Sequence, residues 1–272
     1  MSDSRPVGIF DSGLGGVSVL REIRARLPDE ALLYCADSGH APYGEKPQAL
    51  IAARSLELCG FLVEQGAKAL VIACNTATAA AATQIRARWP DLPVIGMEPA
   101  VKPATEATRH GVVGVLATTG TLESARFAGL LDQFGHGVTV LTRPGAGLVE
   151  AVERGELDSP RTLALLHEYL DAMIAEGADV IVLGCTHYVF LRPQVEAIVG
   201  PGVSVIDTGA AVARQLQRKL DVAGLRAAPG VAAGARFWTS GNPQRVGATL
   251  AMLLPPARAV EVLPPSACLA PA

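Results

Sequence analysis

EQGAKALVIACNT at residues 64–76 and AEGADVIVLGCTH at residues 175–187 carry one pattern twice. Gly66 falls on Gly177, Ala67 on Ala178 and Cys74 on Cys185, all at a spacing of 111 residues. In each copy an uninterrupted apolar run leads to the cysteine, as in a strand of a parallel sheet covered on both faces. A second pair, VGIFDSG (7–13) and VGVLATT (113–119), matches at a spacing of 106. Each half therefore opens with a V-G-apolar-apolar strand and later brings a cysteine to the end of another strand. An internal repeat of this kind outweighs any single motif in deciding the fold.

The rest of the chain alternates in the same way. ALLYCAD, VIGM, VTVLTRP and VSVIDT read as further strands, and 47–65, 76–88, 121–133 and 160–176 read as helices. Strands alternating with helices give an α/β fold with parallel sheets. The repeat predicts two similar α/β domains related by a pseudo-twofold axis, with the active site in the cleft between them. The first is expected over 1–98 plus 209–272 and the second over 99–208, because ARFWTSGNPQRV near the end reads as a strand and helix returning to the first.

Composition narrows the function. Half of the 272 residues are hydrophobic and 18% are charged, enough for a sizeable core. A net charge of −3 gives no footprint for nucleic acid, and 4% aromatics leave few stacking platforms. The longest apolar tract, around 69–82, is interrupted by Asn75, Thr76 and Thr78, so no membrane span is expected. MSDSRPVGIFDSG has no basic region followed by an apolar core, which predicts a cytoplasmic enzyme. The five cysteines, Cys35, Cys59, Cys74, Cys185 and Cys268, form no CxxC and no disulfide framework. Cys35, Cys59 and Cys268 read as packing residues.

Cys74 and Cys185 sit where ligands bind in open α/β sheets, beyond the carboxyl ends of strands. A helix N-terminus is expected after each, which would lower the thiol pKa and, with Asn75, Thr76 and Thr186, bind a carboxylate. FDSGLGG (10–16) ends the first strand but has Ser18 where a dinucleotide loop needs its third glycine; Asp37 only superficially fills the ribose-binding place. Asp11 is then available to assist Cys74, and Ser12 to bind substrate or cap a helix. His187, two residues after Cys185, suits an acid/base relay, a nucleophile or a metal ligand, and Glu153 could orient it. Zinc through Cys74, Cys185 and His187 matches no usual spacing. APYGEK (41–46) is a turn whose tyrosine could close over a ligand. Lys46, Lys68, Lys102 and Lys219 have no setting that suggests a Schiff base.

FDSGLGGVSVLREI, PYGEK, LVIACNTATAAA, VGVLATTGT and LGCTHY, in this order and spacing, resemble bacterial glutamate racemase of the aspartate/glutamate racemase superfamily. The likeness covers nearly the whole chain, the closing RFWTSGNP included. It implies a cofactor-independent racemase that uses no metal and supplies D-glutamate for peptidoglycan. By position, Cys74 and Cys185 match the catalytic thiols, Cys74 acting on D-glutamate and Cys185 on L-glutamate. Asp11, His187 and Glu153 match the supporting catalytic groups. Ser12, Tyr43, Gly44, Asn75, Thr76 and Thr186, with Asp11 and His187, match the substrate-binding residues. Where the family usually has a cysteine-proline pair this chain reads TRPGAGLVE (142–150), which keeps Glu150 as a rival to Glu153. The implied partner is the small molecule glutamate, with no nucleic acid or membrane. The oligomeric state varies in the family, a homodimer among its forms. Aspartate and hydantoin racemases share the scaffold. A non-catalytic carboxylate receptor is the alternative of a different class.

Overall fold

The computed structural model describes residues 2–230 and 233–264; Cys268 lies outside the described residues. Strands β1 (Val7–Asp11), β2 (Leu32–Ala36), β3 (Ala69–Ile72) and β4 (Val94–Ile95) open the chain. A second set follows: β5 (Val112–Ala117), β6 (Thr139–Pro144), β7 (Val180–Leu183) and β8 (Ser204–Ile206). The chain then returns to the first sheet with β9 (Ala235–Thr239) and β10 (Val260–Val262). The sheets run β10-β9-β2-β1-β3-β4 and β6-β5-β7-β8, and all of their pairings are parallel. The expected α/β class holds, and the strand of the tail pairs with β2 as its sequence suggested.

The repeat is reproduced to the residue. Val7 pairs with Ala69 and Phe10 with Ile72; in the second sheet Val113 pairs with Val180 and Leu116 with Leu183. The spacings of 106 and 111 read from the sequence are thus the offsets that superpose the two ladders. Gly66 (φ 85°) and Gly177 (φ 93°) are left-handed, a conformation that favours glycine, and each ends a helix just before β3 or β7. There the Ala67 N–H donates to Leu62 C=O, and the Ala178 N–H to Met173 C=O.

Alternation along β1 sends side chains to two apolar layers. Val7 and Ile9 meet Val17, Ile23 and Leu216 on one face; Phe10 meets Leu58, Leu62 and Ile85 on the other. The helices Val17–Arg26 and Gly209–Ala223 lie side by side on the first face, and Gln48–Glu64 with Asn75–Arg88 cover the second. The first layer runs on through Leu116, Ile181 and Leu183 of the other sheet, so both halves share a core. At roughly 1.5–3 kcal/mol per fully buried Val, Leu or Ile, this shared layer is the main attraction between them.

One helix departs from its sequence reading. The segment expected at 121–133 is two helices, Thr119–Leu122 and Ala125–Phe134. Ser124 donates its hydroxyl to Thr121 C=O at 2.7 Å and accepts the Phe127 N–H at 3.1 Å, which starts a new helix.

At the amino end of the first sheet Lys68 is fully buried against Glu30, Nζ to Oε2 2.6 Å, and also donates to Asp3 C=O at 2.6 Å. Neutralising one partner leaves a buried charge uncompensated. Glu30→Gln is expected to lower unfolding stability by about 3 kcal/mol, read as a lower urea midpoint at unchanged slope.

Candidate active site

The carboxyl ends of β1, β2, β3, β5 and β7 converge on one crevice. Its wall is formed by Ser12, Pro42, Tyr43, Gly44, Cys74, Asn75, Thr76, Thr118, Thr121, Val149, Cys185 and His187. Both cysteines reach it from equivalent strand ends, Cys74 6% and Cys185 7% exposed. Cys35 and Cys59 are buried in packing roles.

The sequences after the two cysteines fold differently. Cys74 caps the helix Asn75–Arg88, its Sγ accepting the Ala77 N–H at 3.4 Å, and donates to Ser12 Oγ at 3.9 Å. After Cys185 comes a single 3₁₀ turn, His187–Leu191, before the helix Arg192–Val199. The second α-helical N-terminus expected directly after Cys185 is absent; the α-helix begins only at Arg192. Thr186 is helical (φ −60°, ψ −33°), and His187 Nδ1 lies 3.8 Å from Cys185 Sγ.

The expected lowering of the Cys74 pKa is also reversed. Burial pushes this thiol well above the ordinary range, and the nearby Asp11 and Cys185 push the same way. The Ala77 N–H and Ser12 oppose this without overcoming it. Desolvation disfavours the charged form more than one helix terminus favours it.

Asp11 stands behind the wall, fully buried, with Oδ2 accepting the N–H groups of Gly16 (2.9 Å) and Gly13 (3.3 Å). Burial raises its pKa although His187 pulls it down. Thr186 is likewise behind the wall; its carbonyl accepts from Ser18 Oγ at 3.2 Å. Asn75 Oδ1 and Asp11 Oδ1 are buried without a hydrogen-bond partner in the protein, acceptors left for a ligand or water.

Of the two rival acids, Glu153 makes the contact. Its Oε1 lies 2.7 Å from His187 Nε2 and accepts the Leu14 N–H at 2.5 Å, while Oε2 accepts from Ser38 Oγ at 3.3 Å. Gly15 N is 3.1 Å from the same Nε2. That nitrogen cannot accept from Gly15 while donating to Glu153, and the shorter, charge-assisted contact with the carboxylate prevails. The glycines of FDSGLGG now have a reason. A Cβ on Gly13 would overlap Glu153, and one on Gly15 would overlap His187 and Thr186.

Four wall residues, Pro42, Thr118, Thr121 and Val149, are not among the expected site residues, and two of them are polar. Thr118 and Thr121 form a hydroxyl cluster with Thr76, at 2.8 Å (Thr76–Thr118), 2.9 Å (Thr118–Thr121) and 3.2 Å (Thr76–Thr121). The spacing of 106 that aligns Val7 with Val113 also sets Thr118 opposite Ser12, a signal present in the repeat. Among the described residues no group of three or more His, Cys, Asp or Glu side chains is arranged to hold a metal ion. Among the same residues no helix is long and apolar enough to cross a membrane.

Two repeat-related α/β units each bring one thiol to a shared crevice. The Asp/Glu/Hydantoin racemase family matches residues 15–216, and the chain belongs to that family. A glutamate racemase of Ectopseudomonas mendocina is 59% identical over 249 residues, covering 92% of this chain and 94% of that one. The crystal structure of Francisella tularensis glutamate racemase in complex with D-glutamate superposes with a TM-score of 0.83 at 27% identity, covering 96% of this chain and 98% of that one. That of Escherichia coli glutamate racemase in complex with L-glutamate and the activator UDP-MurNAc-ala gives 0.82 at 31%, covering 95% and 98%.

Burial alone would lower the His187 pKa, but Cys185, Glu153 and Asp11 hold it well above the ordinary histidine value. Below the unfolded-state value the ring is charged in both states and these contacts contribute fully to stability. As pH rises through the folded-state pKa the charge and its contribution are lost. Imidazole NMR titration is expected to place His187 above 6.5 in the wild type and lower in Glu153→Gln, with stability falling on the alkaline side.

Proposed function

We propose that this enzyme interconverts L- and D-glutamate without a cofactor, by α-proton transfer between Cys74 and Cys185, and supplies D-glutamate for peptidoglycan. The observation that carries the reading is the delivery of two thiols, from repeat-equivalent strand ends, to one crevice. The relatives named glutamate racemase, and the solved structures holding each enantiomer of glutamate, support the choice of substrate.

Inversion at the α-carbon needs a base on one face and an acid on the other. In the L-to-D direction the Cys185 thiolate takes the α-proton and becomes a thiol, leaving the bonding pair on the substrate as a carbanion. Cys74 then donates its proton to the opposite face and becomes a thiolate. The raised pKa of Cys74 favours the protonated form that this direction requires. The reverse reaction exchanges the roles. His187 presents a cation beside Cys185, Glu153 holds the ring, and Asp11 supports the Ser12–Cys74 side from behind. The hydroxyls of Ser12, Thr76, Thr118 and Thr121 suit carboxylates, and Asn75 Oδ1 suits the ammonium group. Tyr43 and Gly44 close the wall, and Thr186 holds the turn that carries His187. In this reading 1–98 with 209–272 and 99–208 are the two domains whose facing ends form the site.

Circular dichroism of dialysed protein with either enantiomer, in a chelator and a reducing agent, is expected to decay to zero rotation. Aspartate, one methylene shorter, would leave polar groups unpaired and should react at least about 100-fold less well in kcat/KM. Racemisation should collapse in both Cys74→Ala and Cys185→Ala, whereas α-proton exchange in deuterated water should split. Cys74→Ala should exchange L-glutamate faster than D-glutamate, and Cys185→Ala the reverse. Equal exchange of the two enantiomers by either variant would remove the opposed-thiol mechanism.

A further inference from the structure

Asp37, whose place at the end of β2 only imitates a ribose-binding acid, has a different use. Its carboxylate is fully buried and receives Arg54 through two donors, Nε to Oδ2 at 3.0 Å and Nη2 to Oδ1 at 2.7 Å. Tyr43 OH donates to Oδ2 at 2.6 Å, and His40 Nδ1 lies 3.1 Å from Oδ1. Arg54 is itself braced by Glu57 at 2.5 Å. Burial would raise the Asp37 pKa, but Arg54, Ser240 and Tyr43 outweigh it and keep the group charged.

This cluster ties down one end of the loop that lines the crevice with Pro42, Tyr43 and Gly44. The other end is tied to the opposite half, where the Gly120 N–H donates to Gly44 C=O at 2.9 Å. Gly44 has no room for a side chain, since a Cβ would meet Thr118 at 2.8 Å. The repeat gives no counterpart. Asp37 N–H donates to Asp11 C=O as Gly145 N–H donates to Ala117 C=O, so the place of Asp37 in the second half is held by a glycine. The first half alone supplies this stretch of the wall, Pro42 to Gly44.

We propose that Asp37 and Arg54 are positioning residues: their forked ion pair holds Tyr43 and Gly44 as the closed wall that shields both thiols and sets substrate affinity. The part concerning affinity rests on the glutamate reading; the shielding of the thiols does not. A planar guanidinium engages a carboxylate through two parallel donors, which an ammonium group cannot do. Arg54→Lys therefore keeps the charge and loses the fork, and Asp37→Asn keeps the shape and loses the charge.

The test has two arms. In the first, ligand-free protein is treated with iodoacetamide and alkylation of Cys74 and Cys185 is followed by mass spectrometry. Thiols this buried react through local opening, so losing a charge-assisted contact should raise the rate about tenfold in both variants. Glu30→Gln, destabilised at the far end of the same sheet, should stay at the wild-type rate under native conditions. In the second arm, KM for both glutamate enantiomers should rise about tenfold with kcat changing less than about twofold, the pattern of lost binding rather than lost chemistry. Alkylation at the wild-type rate in both variants, or raised equally in Glu30→Gln, overturns the proposal whatever the substrate. Faster alkylation with unchanged KM, or a loss confined to kcat, overturns the role in affinity. A wild type that does not racemise glutamate would instead defeat the functional reading, and the alkylation arm would still decide the clasp.

Discussion

The Ala73 N–H donates to Phe10 C=O at 2.8 Å, and the Gly184 N–H donates to Leu116 C=O at the same distance. These are the last rungs of two parallel ladders, each one residue before a cysteine. Parallel pairing fixes its register through evenly spaced backbone bonds, and a one-residue slip would turn every side chain to the other face. A slip in either ladder would carry a thiol out of the crevice into a packed layer. The chemistry therefore depends on backbone hydrogen bonds that do not themselves touch the site, and the apolar core fixes them by accepting Val7 and Ile9 from one ladder and Leu116 and Ile181 from the other.

Across the crevice the two halves are joined by polar contacts that use equivalent positions for different purposes. Thr76 reaches from the first half to Thr118, whereas His187, its counterpart, reaches from the second half to the loop at Leu14 and Gly15 through Glu153. A hydroxyl pair costs little to separate in water; a backbone N–H held by a part-buried carboxylate, as Leu14 is by Glu153, costs more. The two sides of the crevice therefore differ in how firmly they are closed, despite a common backbone.

The repeat made the fold legible, because equal spacing in sequence became equal register in space. Cys74, Cys185, Ser12, Asn75, Thr76 and His187 could be placed together from the residues, Tyr43 and Gly44 only from the resemblance to the family, and all of them line one crevice. What escaped depended on three-dimensional burial or on single capping bonds. The direction of the Cys74 pKa shift follows from how deeply the helix start is covered, which no local motif encodes. The break at Ser124 hides inside a segment with good helical periodicity. Glu153 and Glu150 are both available in sequence, and only the path of the loop at Leu14 separates them. The glycines of FDSGLGG mimic a phosphate loop because close approach to a side chain and close approach to a phosphate require the same missing Cβ.

The lack of a counterpart to Asp37 has a thermodynamic consequence for the proposed reaction. L- and D-glutamate are mirror images of equal free energy in water, so the equilibrium constant is unity. The Haldane relation then requires equal kcat/KM for the two directions, however lopsided the protein. A stretch of wall supplied by one half, and a cation beside only one of the thiols, are free to make one enantiomer bind more tightly. Any such advantage must return as a slower turnover of that same enantiomer. Structural asymmetry in this crevice can therefore decide which form of the enzyme accumulates during turnover, and it leaves the direction of net flux to the concentrations of the two enantiomers.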